Sequence, residues 1–204
     1  MPYLMLCIGC VFFIFSVSAL NFMHTQILDH QIVNVLSVHR IEWLNPIAKS
    51  LSYLGGMPFV LIFTTLWCVY WLRLRQYATT FMIILAVSGS IVLGWLLKWY
   101  IDRPRPAVFY HMVNSYGASF PSAHSVYAAT LASLAILLYQ QHSYSRSICL
   151  MSFIWFISMG ISRVYLGVHY PTDILAGWGI GFVWVALIWL GFTRIHQCKK
   201  QFHF

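Results

Sequence analysis

The stretch Ser162-Arg163-Val164-Tyr165-Leu166-Gly167-Val168-His169-Tyr170-Pro171-Thr172-Asp173 joins two long apolar runs, Ser147 to Leu166 and Asp173 to Phe192. It sets an arginine, a histidine and an aspartate at the adjoining ends of those runs. About 20 consecutive apolar residues are what a helix needs to cross the hydrocarbon core of a bilayer. Working outward, four more such runs appear: Pro2 to Leu20, Met57 to Leu72, Ala78 to Ile101 and Ser122 to Tyr139. Of the 204 residues, 60% are hydrophobic and 8% charged, whereas soluble domains are about a quarter charged. The chain therefore reads as an all-α polytopic membrane helix bundle with six transmembrane helices.

Between the first two runs, Ile27, Leu28, Ile32, Val35 and Leu36 recur at helical spacing beside Asp29, His30 and Asn34. This predicts one helix lying in the membrane interface. Asn45-Pro46 and Gly55-Gly56 punctuate the approach to the second span. The first run lacks a basic leader and reads as a span rather than a cleaved signal. No linker or repeat divides the chain, so residues 1–204 form a single domain.

Alternate loops fall on opposite sides of such a bundle. One side receives Arg73, Arg75, Arg146, Arg194, Lys199 and Lys200 and no acid. The other mixes Arg40, Lys49 and Arg103 with Asp29, Glu42 and Asp102. The positive-inside rule makes the first side cytoplasmic, with both termini there. The net charge of +8 comes from these loops and forms no basic patch with interleaved aromatics, which excludes nucleic acid as a partner.

Three motifs then land at the non-cytoplasmic ends of the spans. They are Lys98-Trp-Tyr-Ile-Asp-Arg-Pro-Arg105-Pro106, Pro121-Ser122-Ala123-His124, and the Ser162 to Asp173 stretch. Charge at a membrane edge is expensive and marks function by default. Lys98, Arg105 and Arg163 suit a phosphate, whose transition-state charge spreads over three oxygens. An arginine fork grips two of them and lysine acts as a point charge. Pro104 and Pro106 stiffen the loop around Arg105. Ser122 can cap the following helix or reach a phosphate oxygen, and the amides of Ala123 and His124 can face an anion. His169 and Asp173 are spaced so that the carboxylate holds one ring nitrogen and frees the other to attack phosphorus. His124, on a different span, can protonate the departing alkoxide.

Together these motifs resemble the type 2 phosphatidic acid phosphatase superfamily, which includes bacterial phosphatidylglycerophosphatase B, undecaprenyl-diphosphate phosphatases and vanadium haloperoxidases. The family pattern is Lys-x6-Arg-Pro, Pro-Ser-Gly-His and Ser-Arg-x5-His-x3-Asp. Lys98 with Arg105-Pro106 fits the first part, and Ser162, Arg163, His169 and Asp173 fit the third. Ala123 stands where the second usually has glycine. The likeness covers about residues 28–192.

The resemblance implies an integral-membrane lipid phosphatase of a bacterial inner membrane, with its site on the periplasmic or extracellular side. It implies a phosphohistidine on His169 and His124 as acid and then base. It also implies no metal or other cofactor, and the presence of only four acidic residues agrees with that. Phosphatidylglycerol phosphate and undecaprenyl diphosphate lead as substrates, with lipid A phosphate and phosphatidate behind. A haloperoxidase-like oxidoreductase is opposed by the six apolar runs. A catalytically silent lipid-binding or transport protein is opposed by the intact nucleophile, acid and three cations.

Other residues read as structural. Asp102 and Arg103 suit local ion pairing or loop positioning. Cys7 and Cys10 suit packing in a lipid-facing helix, and Gly177-x-x-x-Gly181 suits a helix-packing face. Trp71, Trp95, Trp99 and Tyr100 suit interfacial anchors. His111 with Asn114 and Tyr116 reads as a solvated loop. His24, His30, His39, His142, His196 and His203, like Cys198 in the tail, have no partner at motif spacing.

Overall fold

Each of the six apolar runs forms a helix, because a chain crossing lipid must satisfy its backbone hydrogen bonds internally. The structure, a computed structural model, describes residues 1–201, with side chains to Arg194. The side chains of His196, Cys198, Lys199, Lys200 and His203 lie outside the described residues. In chain order the helices are α1 (Pro2–Ala19), α2 (Met23–Val38), α3 (Leu44–Leu54), α4 (Met57–Arg73), α5 (Tyr77–Ile101), α6 (Ala123–Leu138), α7 (Ser145–Tyr165) and α8 (Pro171–Gln201), with a 3-10 turn at Val108–Tyr110 between α5 and α6. No strand occurs among the described residues.

Among the described residues, four helices, α1, α5, α7 and α8, are long and apolar enough to cross a membrane. A fifth crossing is reached if α3 and α4, bent by 57° at Gly55-Gly56, count as one. The helix α6 has 16 residues, about 24 Å at 1.5 Å per residue. It is also the most enclosed, sandwiched by α5, α7 and α8, so its length need not match the lipid.

Helices in lipid associate through close packing rather than through a hydrophobic drive, and small residues allow the approach. Here α8 packs on α1 and α6. A Cβ on Gly181 would sit 2.7 Å from the Ala129 Cβ, and one on Gly177 would sit 2.8 Å from the Ser122 carbonyl oxygen. The Gly177-x-x-x-Gly181 face therefore presses α8 onto the site end of α6. On the opposite face, a Cβ on Gly179 would meet the Gly9 carbonyl of α1 at 2.8 Å. Cys7 and Cys10 are free thiols on α1.

The segment between α1 and α4 departs from expectation, since it holds two helices rather than one. The break lies at Arg40, whose Nε donates to the Tyr165 carbonyl at 3.2 Å and whose Nη2 donates to the Tyr110 carbonyl at 2.5 Å. Ile41 N–H donates to the Tyr165 hydroxyl at 3.0 Å. The Ile41 N–H is thus taken out of the helical ladder by the Tyr165 hydroxyl. Pro46 does not end a helix but lies in the first turn of α3, where its missing N–H costs nothing. The facing of α2 is also informative. Ile27, Leu28, Ile32 and Val35 point outward, while Asp29 and Val33 are buried. The apolar stripe is offered to the surroundings, and the carboxylate is turned into the protein.

Candidate active site

Lys98 lies in the last turn of α5, which ends where Asp102 takes a left-handed backbone (φ 43°) and donates its N–H to the Lys98 carbonyl. Short polar residues tolerate this conformation better than most. Asp102 thus positions the loop, as one reading of the sequence had it. The prolines that follow carry Arg105 back across the bundle end. Its Nε and Nη2 donate to the carbonyls of Gly117 and Tyr116, each at 2.8 Å, and its Nη1 donates to the Val168 carbonyl at 2.8 Å. Lys98 Nζ donates to the Ala118 carbonyl at 2.7 Å. Arg163, in the last turn of α7, donates through Nη1 to the Ser52 hydroxyl, and its Nε has no partner among the described residues. None of these three cations meets a carboxylate among the described residues. Buried charge without a counter-charge is costly, so this cluster is expensive to keep.

The second motif begins α6. Ser122 is its N-cap, accepting from the Ser125 N–H at 3.4 Å and from the Ser125 hydroxyl at 3.1 Å. Of the two roles open to Ser122, its hydrogen bonds are those of a cap. Ser122 N–H donates to the Asp173 carbonyl at 3.0 Å, which ties the start of α6 to the first turn of α8. Ala123 is the first helical residue, and among the described residues the only non-glycine positive φ angles belong to Arg75 and Asp102. Alanine therefore fits at 123 without backbone strain, and its N–H belongs to the unladdered first turn.

The two histidines are held in different ways. His169 Nδ1 lies 3.3 Å from Asp173 Oδ2, while Arg105 Nη1 lies 3.3 Å from His169 Nε2. A carboxylate on one side and a guanidinium donor on the other assign the proton to Nδ1 and the lone pair to Nε2. Burial first, then the nearby Arg105, Arg163, Lys98 and His124, hold the His169 imidazole well below its ordinary pKa. The ring is neutral at pH 7. His124 places Nε2 at 3.0 Å from the Ser52 carbonyl, so Nε2 carries a proton and Nδ1 is left for other partners.

Gly167 makes the turn that presents His169. Its φ is +74°, and a Cβ there would lie 2.2 Å from the Tyr110 carbonyl oxygen. Gly167→Ala should therefore lower stability by at least about 2 kcal/mol. Thermal unfolding in detergent reads this, and an unchanged midpoint would refute the tight turn.

The fold brings Lys98, Arg105, Arg163, Ser122, Ala123, His124, His169 and Asp173 to one end of the bundle. It also adds residues that sequence reasoning missed. Ser52, on α3, contacts both Arg163 and His124 and had no motif to announce it. Asp29 is buried and bonded to Thr172 and Arg103. Its one signal was being among only four acids in the chain. Arg103, read as a local pairing residue, does not pair with its neighbour Asp102 but reaches Asp29 and Asp173. His30 packs edge-on against Tyr170, ring centroids 4.8 Å apart. His111 is not merely solvated, because Nε2 meets the Pro106 carbonyl at 2.9 Å and Nδ1 meets the Ser115 hydroxyl at 3.3 Å.

Among the described residues, cavities open near this end. One, of about 750 Å³, lies under the loop from Arg105 to Gly117. Another, of about 740 Å³, is an apolar groove between α4, α6 and α7. It runs from Leu54, near Ser52, past Phe63, Trp67, Leu131 and Trp155 to Tyr139.

Residues 77–197, which hold all three motifs, match the model of the PAP2 superfamily. Phosphatidylglycerophosphatase B of Bacillus subtilis is 27% identical over 183 residues, covering 87% of this chain and 90% of that protein. Undecaprenyl-diphosphatase of Sulfolobus acidocaldarius is 26% identical over 175 residues, covering 83% and 81%. The crystal structure of a transmembrane PAP2 type phosphatidylglycerolphosphate phosphatase from Bacillus subtilis superposes with a TM-score of 0.83 at 28% identity, over 91% of this chain and 94% of that one. With every motif inside the matched segment and the same helical fold around them, this chain is an integral membrane protein that belongs to the PAP2 superfamily.

Proposed function

We propose that the protein is a lipid phosphatase that removes phosphate, or the terminal phosphate of a diphosphate, through a phosphohistidine on His169. The observation that carries this reading is the convergence of three cations, none paired with an acid among the described residues, on a neutral imidazole whose Nε2 meets Arg105. A phosphate dianion supplies the missing counter-charge and takes over the guanidinium donors, including the one now directed at Nε2. Nε2 then attacks phosphorus as the ester or anhydride P–O bond breaks. His124, with its Nε2–H held on the Ser52 carbonyl, takes a second proton on Nδ1 from solvent as the anion binds, gives that proton to the leaving oxygen, and later takes one from water on Nδ1; that water attacks phosphorus, breaks the P–N bond and releases inorganic phosphate. The first-turn amides of Ala123 and His124 add donors for the phosphoryl oxygens. Every proton and electron pair in this cycle is handled by side chains and water, and no step calls for a metal or cofactor.

A lipid substrate is favoured because the site lies at one end of helices long and apolar enough to cross a membrane, and the apolar groove between α4, α6 and α7 reaches up to Leu54 at the end of α3. A phosphate seated among the cations can leave its acyl or prenyl chain in that groove. Phosphatidylglycerol phosphate and undecaprenyl diphosphate lead, and lipid A phosphate and phosphatidate follow. We take residues 1–204 as one domain in a bacterial inner membrane. In this reading α1, α4, α5, α6, α7 and α8 are six spans, and α2 with α3 lies along the outer interface. Arg73, Arg75 and Arg146 then fall at the end away from the site, which supports cytoplasmic termini and a periplasmic or extracellular site.

Purified protein in detergent with EDTA should release phosphate from at least one of the four lipids. Release from none removes the reading. A short-chain lipid phosphate added outside intact spheroplasts should also be hydrolysed, and hydrolysis only after lysis would reverse the topology.

A further inference from the structure

We propose that Arg103 is a positioning residue for catalysis, and that it sets Asp173, and through it His169, while itself anchored by Asp29 on α2. The assignment rests on the phosphatase reading and extends it to Asp29, outside the three motifs, and to Arg103, a spacer residue of the first. Arg103 Nη1 donates to Asp173 Oδ1 at 2.7 Å and to the Thr172 hydroxyl at 2.8 Å. Its Nη2 donates to Asp29 Oδ2 at 2.8 Å. The guanidinium lies 4.1 Å from the centroid of the Tyr170 ring, a cation–π contact. Asp29 in turn accepts from the Thr172 hydroxyl at 2.5 Å and from the Thr172 N–H at 3.2 Å. The clamp therefore joins the loop after α5, the first turn of α8 and the helix α2.

The two oxygens of Asp173 have separate duties. Oδ1 faces Arg103, while Oδ2 accepts from the Tyr170 N–H at 2.9 Å and faces His169 Nδ1 at 3.3 Å. Asp173 is 0% exposed, so its Oδ1 relies on Arg103 rather than on solvent. Without Arg103, Oδ1 is left unsatisfied and the carboxylate is free to rotate or to take a proton, and either change loosens its hold on the His169 tautomer. Arg103 stands on the Nδ1 side of His169, whereas Arg105 reaches Nε2. Arg103 therefore acts on the nucleophile and not on the phosphate. A lysine keeps the charge but lacks the planar fork that reaches two carboxylates at once.

The test compares wild type, Arg103→Ala, Arg103→Lys, Asp29→Asn and Arg163→Ala as full-length proteins in detergent. It measures kcat and KM on a lipid phosphate, inhibition by inorganic phosphate, and thermal unfolding. Arg103→Ala should lower kcat about 10- to 100-fold, as loss of a group that orients a histidine from behind does. KM and the phosphate inhibition constant should stay within about twofold, whereas Arg163→Ala should raise both. Arg103→Lys should recover part of kcat, and Asp29→Asn should lower kcat several-fold with the same unchanged KM. If Arg103→Ala does not fold, Arg103→Lys and Asp29→Asn carry the decision, and unchanged kcat in both overturns the proposal. A rise in KM and in the phosphate constant like that of Arg163→Ala would also overturn it, by making Arg103 a phosphate ligand. A wild type that releases no phosphate overturns the phosphatase reading and this proposal with it. A wild type that turns over beside an unimpaired Arg103→Ala overturns this proposal alone.

Discussion

Replacing His169 with alanine or glutamine should lower kcat at least about 10⁴-fold, because no second group stands ready to attack phosphorus. The neutral Nε2 meets Arg105 Nη1 at 3.3 Å, and Arg163 and Lys98 act on the same ring. Its partner atom Nδ1 is already committed to Asp173. Glutamine separates chemistry from packing, since His169 is 2% exposed and alanine would also leave a cavity. In the wild type, a rapid quench at early times should trap an acid-labile phosphoryl group on His169, and both variants should lack it. Turnover of His169→Gln within tenfold of wild type would reject the nucleophile. Inhibition by inorganic phosphate should survive in His169→Gln, because the cations that bind it remain.

Arg163→Ala should cost about 3–4 kcal/mol of transition-state stabilisation, a loss of roughly a hundred- to a thousandfold in kcat/KM. Arg163 is 3% exposed, and its Nε has no partner among the described residues. A donor carried into the interior at that cost, with no acidic partner there, is matched to an anion. Arg163→Lys should recover little, because an ammonium cannot grip two phosphoryl oxygens side by side. Steady-state kinetics on a lipid phosphate read both variants. A loss of less than tenfold in Arg163→Ala would remove Arg163 from the transition state.

Much of this architecture was legible before any coordinates. Six apolar runs became six helices because burying unpaired backbone in lipid leaves few alternatives. The grouping of Lys98, Arg105, His124, Arg163, His169 and Asp173 at one end followed from span alternation, a rule that needs only the order of the runs. What was not legible has specific physical causes. The break at Arg40 depends on carbonyls of Tyr110 and Tyr165, some 70 and 125 residues further along the chain, and no local pattern encodes such distant acceptors. The facing of α2 was ambiguous, since an amphipathic helix in a membrane protein can turn its apolar stripe to lipid and its polar stripe to the core. The count of spans is blurred for the same reason, because α6 is short enough to owe its place to its neighbours rather than to the bilayer.

The sequence by itself determined the helical class, the membrane setting and the residues able to handle a phosphate, because hydropathy and motif spacing are local properties of the chain. Only the tertiary structure decided how those residues are held. It turned Arg103 from a loop cation into the link between Asp29 and Asp173, and it brought Ser52 onto Arg163 and His124. Hydrogen bonds act over about 3 Å whatever the separation in sequence, so which groups meet at that range is settled only when the helices pack.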